Sequence, residues 1–527
     1  MGSAPRHGHR VDLNNATVNV PGSLRCHRKL LCWLEGNHGA VPVIRHRAAR
    51  NRHTDRNTII LLANPHALAL ALIALSGAAL AQSPADTPAY KFLRYEEDYR
   101  YLQGAGADAT RRDFWDPIKY IALGAPDTYL SLGGEIRERF EHYSAPNFGT
   151  PGREADGYLL HRILVHADLH AGQRFRAFAQ LGNHLAAGKE VALPPYEDRL
   201  DVQQAFVDAR LPVSGTAAED PTLRLGRQEM AFGAQRLVSV RDAPNVRRAF
   251  DGVRLGGQAS DVRIDAFATR PVLLKAGNFD DHPNHAQGFW GVYTTLPHSF
   301  VPASGVDLYY LGFENSRALY SIGPGVERRH SVGGRIFGSH GRWDWDWEAL
   351  VQVGSFGRQD LRAWGFSTDT GYAFAMGEWK ARAGIKATAG SGDKDPRDGR
   401  LGTYGGLFPK LAYFNQAGLL GTSNVVDLQP SLTLRPTASL RLTVSWDFIW
   451  RQTTGDAVYT ATAVPIAGTA GRPGRYTGSQ LAFDVFWQVD RHVTVNAGLV
   501  HVEVAPVLRT AGGRNTNFTY LSAAYTF

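Results

Sequence analysis

The chain has 527 residues, 43% of them hydrophobic, a net charge of +8 and only two cysteines. So few cysteines exclude a disulfide-stapled scaffold, and no apolar run of about 18 residues follows Gln82, which excludes helical membrane spans in the remainder. The basic balance points first to nucleic acid, but residues 1–57 hold ten Lys/Arg against Asp12, Glu35 and Asp55, leaving the other 470 residues at only +1. Cys26 and Cys32 lie in the same leader. No nucleic-acid partner is expected for the rest of the chain.

Residues 1–57 read as translated sequence upstream of a true start near Leu61 or Leu62, the alternative being a disordered basic tail. Residues 58–81 read as a signal peptide, with an apolar run from Ala67 to Leu80 and an A-x-A-like site, Ala79-Leu80-Ala81, that places the cut before Gln82. Residues 82–128 are expected to be a periplasmic lead-in, and residues 129–527 a barrel. The mature part has no cysteine, so it enters the periplasm with neither disulfide nor thiol chemistry.

From Tyr129 onward the sequence alternates with period two. In Arg342 to Gly354, Trp343, Trp345, Trp347, Ala349, Val351 and Val353 share one face, with Asp344, Asp346, Glu348 and Gln352 on the other. The same alternation runs through Lys380 to Ala389 and Ala438 to Arg451. An aromatic-rich apolar face opposed by a charged one is the pattern of a strand with lipid on one side and an aqueous lumen on the other.

Eighteen strands are expected, near 129–141, 158–171, 173–186, 200–212, 222–230, 250–258, 260–270, 286–296, 305–313, 330–338, 343–354, 361–375, 379–390, 426–435, 439–451, 478–489, 492–503 and 515–527. Connections after odd strands are mostly long (187–199, 231–249, 271–285, 314–329, 391–425 and 452–476), whereas those after even strands tend to be short. The expected fold is all-β, a transmembrane antiparallel β-barrel of about 18 strands with short periplasmic turns and long extracellular loops. The aromatic last strand, ending at Phe527, would close it. Its expected partners are outer-membrane lipid, lipopolysaccharide and, through that strand, the barrel-assembly machinery.

Such a barrel is wide enough for a water-filled lumen, so transport is the expected function. The densest charge lies between Leu223 and Leu255, with Arg224, Arg227, Arg236, Arg241, Arg247, Arg248 and Arg254 against Glu229, Asp242 and Asp251. Guanidinium forks keep their charge and match carboxylates, so this run folded into the lumen would select anions. The bland reading is that the arginines pair with lumen carboxylates or lipopolysaccharide phosphates and only stiffen the barrel. Strand faces add Arg137, Arg139, Arg162, Arg210 and Arg263 to the lumen, interleaved with Glu135, Glu141, Asp208 and Asp265. Glu138 and His161 break the alternation.

No metal site is expected. His166, Asp168 and His170 share a face of one strand, which supplies two ligands at best. Asp393, Asp395 and Asp398 lack the glycine and terminal glutamate spacing of a calcium loop. No G-x-S-x-G elbow occurs, and no carboxylate pair sits where environment separates acid from base, so neither an enzyme nor a cofactor is expected.

Three segments resemble the alginate export family of Gram-negative outer-membrane barrels: LGGEIRERFEHY at Leu132 to Tyr143, GRQEMAFGAQRLVSVRDAPNVRRAFDG within Arg224 to Gly252, and the stretch Gly392 to Tyr459 containing GDKDP, GGLFPKLAYF and WRQTTGDAVY. The resemblance implies a monomeric 18-stranded barrel that exports an acidic polyuronate passively through an arginine-rich constriction. Arg236, Arg241, Arg247, Arg248 and Arg254 fit that constriction, with Asp242 and Asp251 as ordering partners. The near-neutral charge of the barrel keeps a porin for small organic or aromatic acids as the alternative.

Overall fold

The computed structural model describes residues 88–103, 113–150, 152, 154–191, 194–213, 220–299 and 301–527. The leader 1–57 and the signal peptide 58–81 lie outside the described residues.

Eighteen antiparallel strands close on themselves. They are β1 Tyr129–Tyr143, β2 Asp156–Ala171, β3 Phe175–Ala187, β4 Asp198–Arg210, β5 Thr222–Gln228, β6 Phe250–Ala259, β7 Val262–Leu273, β8 Gln287–Leu296 and β9 Ser304–Tyr320. The second half comprises β10 Gly323–His340, β11 Trp343–Phe356, β12 Gln359–Met376, β13 Trp379–Gly390, β14 Val425–Arg435, β15 Leu440–Trp450, β16 Tyr476–Gln488, β17 Val493–Val504 and β18 Thr516–Thr526. Closure comes from β18 on β1, with Glu135 opposite Thr526 and Tyr143 opposite Phe518. The main chains of Gly134 and Phe527 exchange two hydrogen bonds, of 2.8 and 3.0 Å. A side chain at Gly134 would meet the Leu164 carbonyl at 2.5 Å and the Phe527 ring at 2.7 Å, so only glycine fits this seam.

The alternation sorts the two faces as expected. Trp343 is 54% exposed, Val351 58% and Leu521 55%, an apolar band that water would not tolerate over such an area and that lipid covers. Opposite faces are polar and buried: Arg137, Arg139 and Glu141 on β1, Arg162, His166 and Asp168 on β2, Asp427 on β14 and Asp447 on β15. The two exceptions in the lipid band, Glu138 and His161, stand opposite one another and pair.

One loop expectation fails. Residues 314–329 form no long loop; β9 runs to Tyr320 and β10 starts at Gly323, with a register shift between Asn315 and Ala318. The outward face of this hairpin's ends mixes Glu314, Arg317 and Arg328 with Leu319 and Val326 rather than carrying a clean apolar stripe, and Tyr320, Glu327 and Arg329 turn into the buried interior.

The lumen is far from empty. Loops 229–249 and 391–424 fold into it and meet: Ser239 N donates to the Phe408 carbonyl at 3.0 Å, and Phe408 N to the Leu237 carbonyl at 2.9 Å. Phe408 packs on Phe250, Phe289 and Phe313. Loop 451–475 buttresses the second loop through Asp456, which accepts from Thr403 Oγ1 at 2.6 Å, Tyr459 at 2.8 Å and Asp393 N at 3.0 Å.

Candidate functional site: a loop pinned across the lumen

Loop 229–249 is held from two opposed walls. On one side Arg137 and Arg162, from β1 and β2, reach its tip. Arg137 donates to the Asp242 carbonyl at 3.0 Å, the Pro244 carbonyl at 2.6 Å and Asn245 Oδ1 at 3.2 Å. Arg162, 1% exposed, donates to Glu135 at 2.6 Å, Asp242 Oδ1 at 3.0 Å and the Asn245 carbonyl at 3.1 Å. On the other side Arg236 of the loop itself pairs with Asp346 at 2.7 Å and Glu348 at 3.0 Å on β11. Nine strands lie between β1 and β11 one way round the barrel and seven the other, so the loop crosses the bore.

Residues 88–103 enter from the short-turn rim and touch the same loop. The Tyr95 hydroxyl donates to the Glu229 carbonyl at 2.9 Å, and its ring packs edge-on against Phe206 and Phe178. Arg247 donates to the Phe92 carbonyl at 3.0 Å and pairs with Glu229 at 2.9 Å. Arg94 donates to the carbonyls of Gly134 and Phe527, each at 2.9 Å, across the closing seam. Beside this segment lies a cavity of about 790 Å³, lined among others by Arg100, Arg174, Arg210 and Arg263.

The predicted arginines therefore divide. Arg224 pairs with Asp208 in two 2.8 Å bonds, and Arg254 with Asp265 at 2.8 Å; both line the cavity and stack on or bond to Tyr95. Arg139 pairs with Glu141 at 2.6 Å and Arg263 with Asp265 at 3.0 Å, whereas Arg210 is exposed at the rim. Arg227 and Asp251 pair at 2.9 Å, but alternation places them on the opposite face of β5 and β6 from Arg224 and Arg254, outside the bore. Their assignment to the constriction is corrected accordingly.

Arg241 and Arg248 are different. Each donates only to a main-chain carbonyl, Arg241 to Val246 at 3.2 Å and Arg248 to Ser239 at 3.2 Å, and neither has a carboxylate partner among the described residues. Burial pushes Arg241 down to about 10. Burial, joined by the Arg241 charge, holds Arg248 well below the usual guanidinium value. Lys410, on the second loop, is pushed down to about 8 by burial and then by Lys386. By contrast burial opposes the ionisation of Asp242, yet Arg162, Arg137 and Arg247 hold it well below the carboxylate range. Enclosed cations without counter-charge gain most when an anion enters.

Sequence reasoning overlooked Phe408 and Lys410 in GGLFPKLAYF and Phe92 and Tyr95 before the barrel, since none stands on an alternating strand. Neither weighed metal motif assembles a site. Arg176 saturates Asp168 at 2.7 and 2.6 Å, and His166 stacks on Phe178. Asp395 and Asp398 accept from the backbone of their own turns, and Asp395 also pairs with Arg397 at 3.6 Å.

The sequence model for alginate export matches residues 128–522. The chain belongs to the alginate export family. As a member it is an outer-membrane channel protein, with the short-turn rim periplasmic and the long-loop rim extracellular. None of the curated proteins compared with it matches. Among solved structures it is similar to Acinetobacter baumannii OccAB1 (TM-score 0.50, 11% identity, 76% of this chain and 96% of that one). It is also similar to Pseudomonas aeruginosa OpdO (0.49, 13%, 76% and 97%) and to Pseudomonas aeruginosa OpdK solved with vanillate (0.48, 10%, 75% and 98%). At such identities the likeness is one of fold.

Proposed function

We propose that this member of the alginate export family passes an acidic, alginate-like polysaccharide outward by passive diffusion, with Arg241 and Arg248 as the anion-contacting pair of the constriction. What carries this reading is their lack of any carboxylate partner in a loop whose other arginines are neutralised. Arg137, Arg162, Arg236 and Arg247 position the loop, and Arg224 and Arg254 line the periplasmic mouth. Residues 58–81 serve as the signal peptide, residues 82–128 as the periplasmic lead-in, and the strand ending at Phe527 as the signal to the assembly machinery. The chain works as a monomer without catalytic chemistry.

A second reading, a porin for small organic or aromatic acids, is favoured by the packing of two loops into the bore, which narrows the path for a polymer. Planar-bilayer recording on the detergent-purified protein separates the two. Anion selectivity with block by oligouronates is expected for export, and block by monomeric aromatic acids alone for the porin. Cation selectivity, no block by uronates and no change in Arg241→Ala/Arg248→Ala would overturn the anion path altogether.

A further inference from the structure

Strands β5 and β6 stop short at the extracellular rim, and the β7–β8 loop, residues 274–286, closes the gap by reaching across to β4. Leu200 N donates to the Gly277 carbonyl at 3.4 Å and Phe279 N to the Leu200 carbonyl at 2.9 Å. At this junction one carboxylate oxygen from each of Asp198, Asp201 and Asp281 lies within 4.8 Å of the others. Asp280 stands beside them in the same loop. Asp198 is only 2% exposed and Asp201 4%, and Asp198 Oδ1 and Asp280 Oδ1 are buried without a hydrogen-bond partner.

Four carboxylates here face one cation. Arg227 lies 3.6 Å from Asp201, but its forks are already spent on Asp251 at 2.9 and 3.2 Å and on the carbonyls of Val202 and Asp281 at 3.0 and 3.3 Å. No described Lys or Arg forms an ion pair with Asp198, Asp280 or Asp281. Backbone N–H groups of Val202 and Asp281 serve Asp201 and that of Lys275 serves Asp281, at 2.7, 3.0 and 2.6 Å, but they bring no counter-charge. Buried carboxylates left so are costly, and a cation is the ordinary remedy. Two oxygens bound to one calcium ion at about 2.4 Å can be no more than about 4.8 Å apart, which is the limit that this triad meets. The donors are all hard oxygens, with neither thiolate nor imidazole in the triad, and the rim meets the divalent-rich outer medium.

We propose that Asp198, Asp201 and Asp281 bind one calcium ion that ties the β7–β8 loop to β4 and seals the extracellular wall over the short strands. The ion stands in the wall, apart from Arg241 and Arg248, so the site is independent of what the channel carries.

The test uses the full barrel purified in detergent and stripped with a chelator. Calcium titrated calorimetrically up to about 10 mM, the upper range for extracellular calcium modules, is expected to bind with one-to-one stoichiometry. It should also raise the unfolding temperature by at least about 3 °C. Asp198→Asn/Asp281→Asn should lose both effects, while Asp393→Asn/Asp395→Asn keeps them. Absence of calcium binding to the unsubstituted protein overturns the proposal even if the first variant does not fold. So does binding that survives Asp198→Asn/Asp281→Asn, or that disappears in Asp393→Asn/Asp395→Asn.

Discussion

Loops 229–249 and 391–424 both occupy the lumen, yet different forces keep them there. The first is nailed to two walls by Arg137, Arg162 and Arg236, in addition to the buried contacts of Met230, Phe232, Leu237 and Val238. The second is held by aromatic packing of Tyr404, Phe408 and Tyr413, with Arg329 and Gln352 bonding its backbone at Thr403 and Gly405. Fixed charges can be spent in pinning or kept for a solute, and the first loop does both: of its four arginines Arg236 and Arg247 are paired, and Arg241 and Arg248 are spare. The second loop works as a floor against which the first is pressed.

The contrast can be broken at its strongest point. Arg162→Ala leaves Glu135 and Asp242 without their chief partner, and breaking a buried pair costs roughly 3–5 kcal/mol. Thermal unfolding should drop sharply, and single-channel conductance should rise as the loop leaves the bore. Phe408→Ala removes a side chain that packs on three phenylalanines, at about 3 kcal/mol. Removing the charge of Asp242 as well should recover part of the loss from Arg162→Ala, in Arg162→Ala/Asp242→Asn, but none of that from Phe408→Ala; no recovery would erase the distinction drawn between the loops.

Arg241→Ala/Arg248→Ala should leave unfolding almost unchanged. Loss of one charged hydrogen bond to a solute is worth roughly 1.5–3 kcal/mol, so affinity for a blocking uronate should fall by at least about tenfold.

The smallest effect concerns the lead-in. His492, in the turn before β17, bonds Asp113 at 3.0 Å, and Arg491 also pairs with Asp113. Although burial opposes it, the Asp113 carboxylate raises His492 above its ordinary 6.5, so this contribution is full below 6.5 and fades as pH climbs through the raised value. Asp113 is lowered to about 2 against burial by His492 and Arg491, so its contribution holds above 3.8 and fades as pH falls toward 2. Hydrogen exchange of residues 113–122 should be slowest between those limits, and His492→Asn should flatten the alkaline side.

All eighteen strands were legible because lipid on one face and water on the other force a period of two that soluble loops lack. The parity of Arg224 and Arg227 was legible too: three positions apart on one strand, they had to face opposite ways, and grouping all the arginines of the run together hid this. The inward course of loops 229–249 and 391–424 was not, since a loop that packs inside a barrel needs contacts rather than periodicity. The 314–329 hairpin was missed for a related reason: charged Glu314, Arg317 and Arg328 interrupt the apolar stripe that marks the other strands.

Arg94 holds two carbonyl oxygens at once, one on the first strand and one just past the last. Those oxygens come within reach of a single guanidinium only when the ring is complete. The segment ahead of the barrel thus ties the seam to the pinned loop, since its Tyr95 and Phe92 meet Glu229 and Arg247 a few residues away.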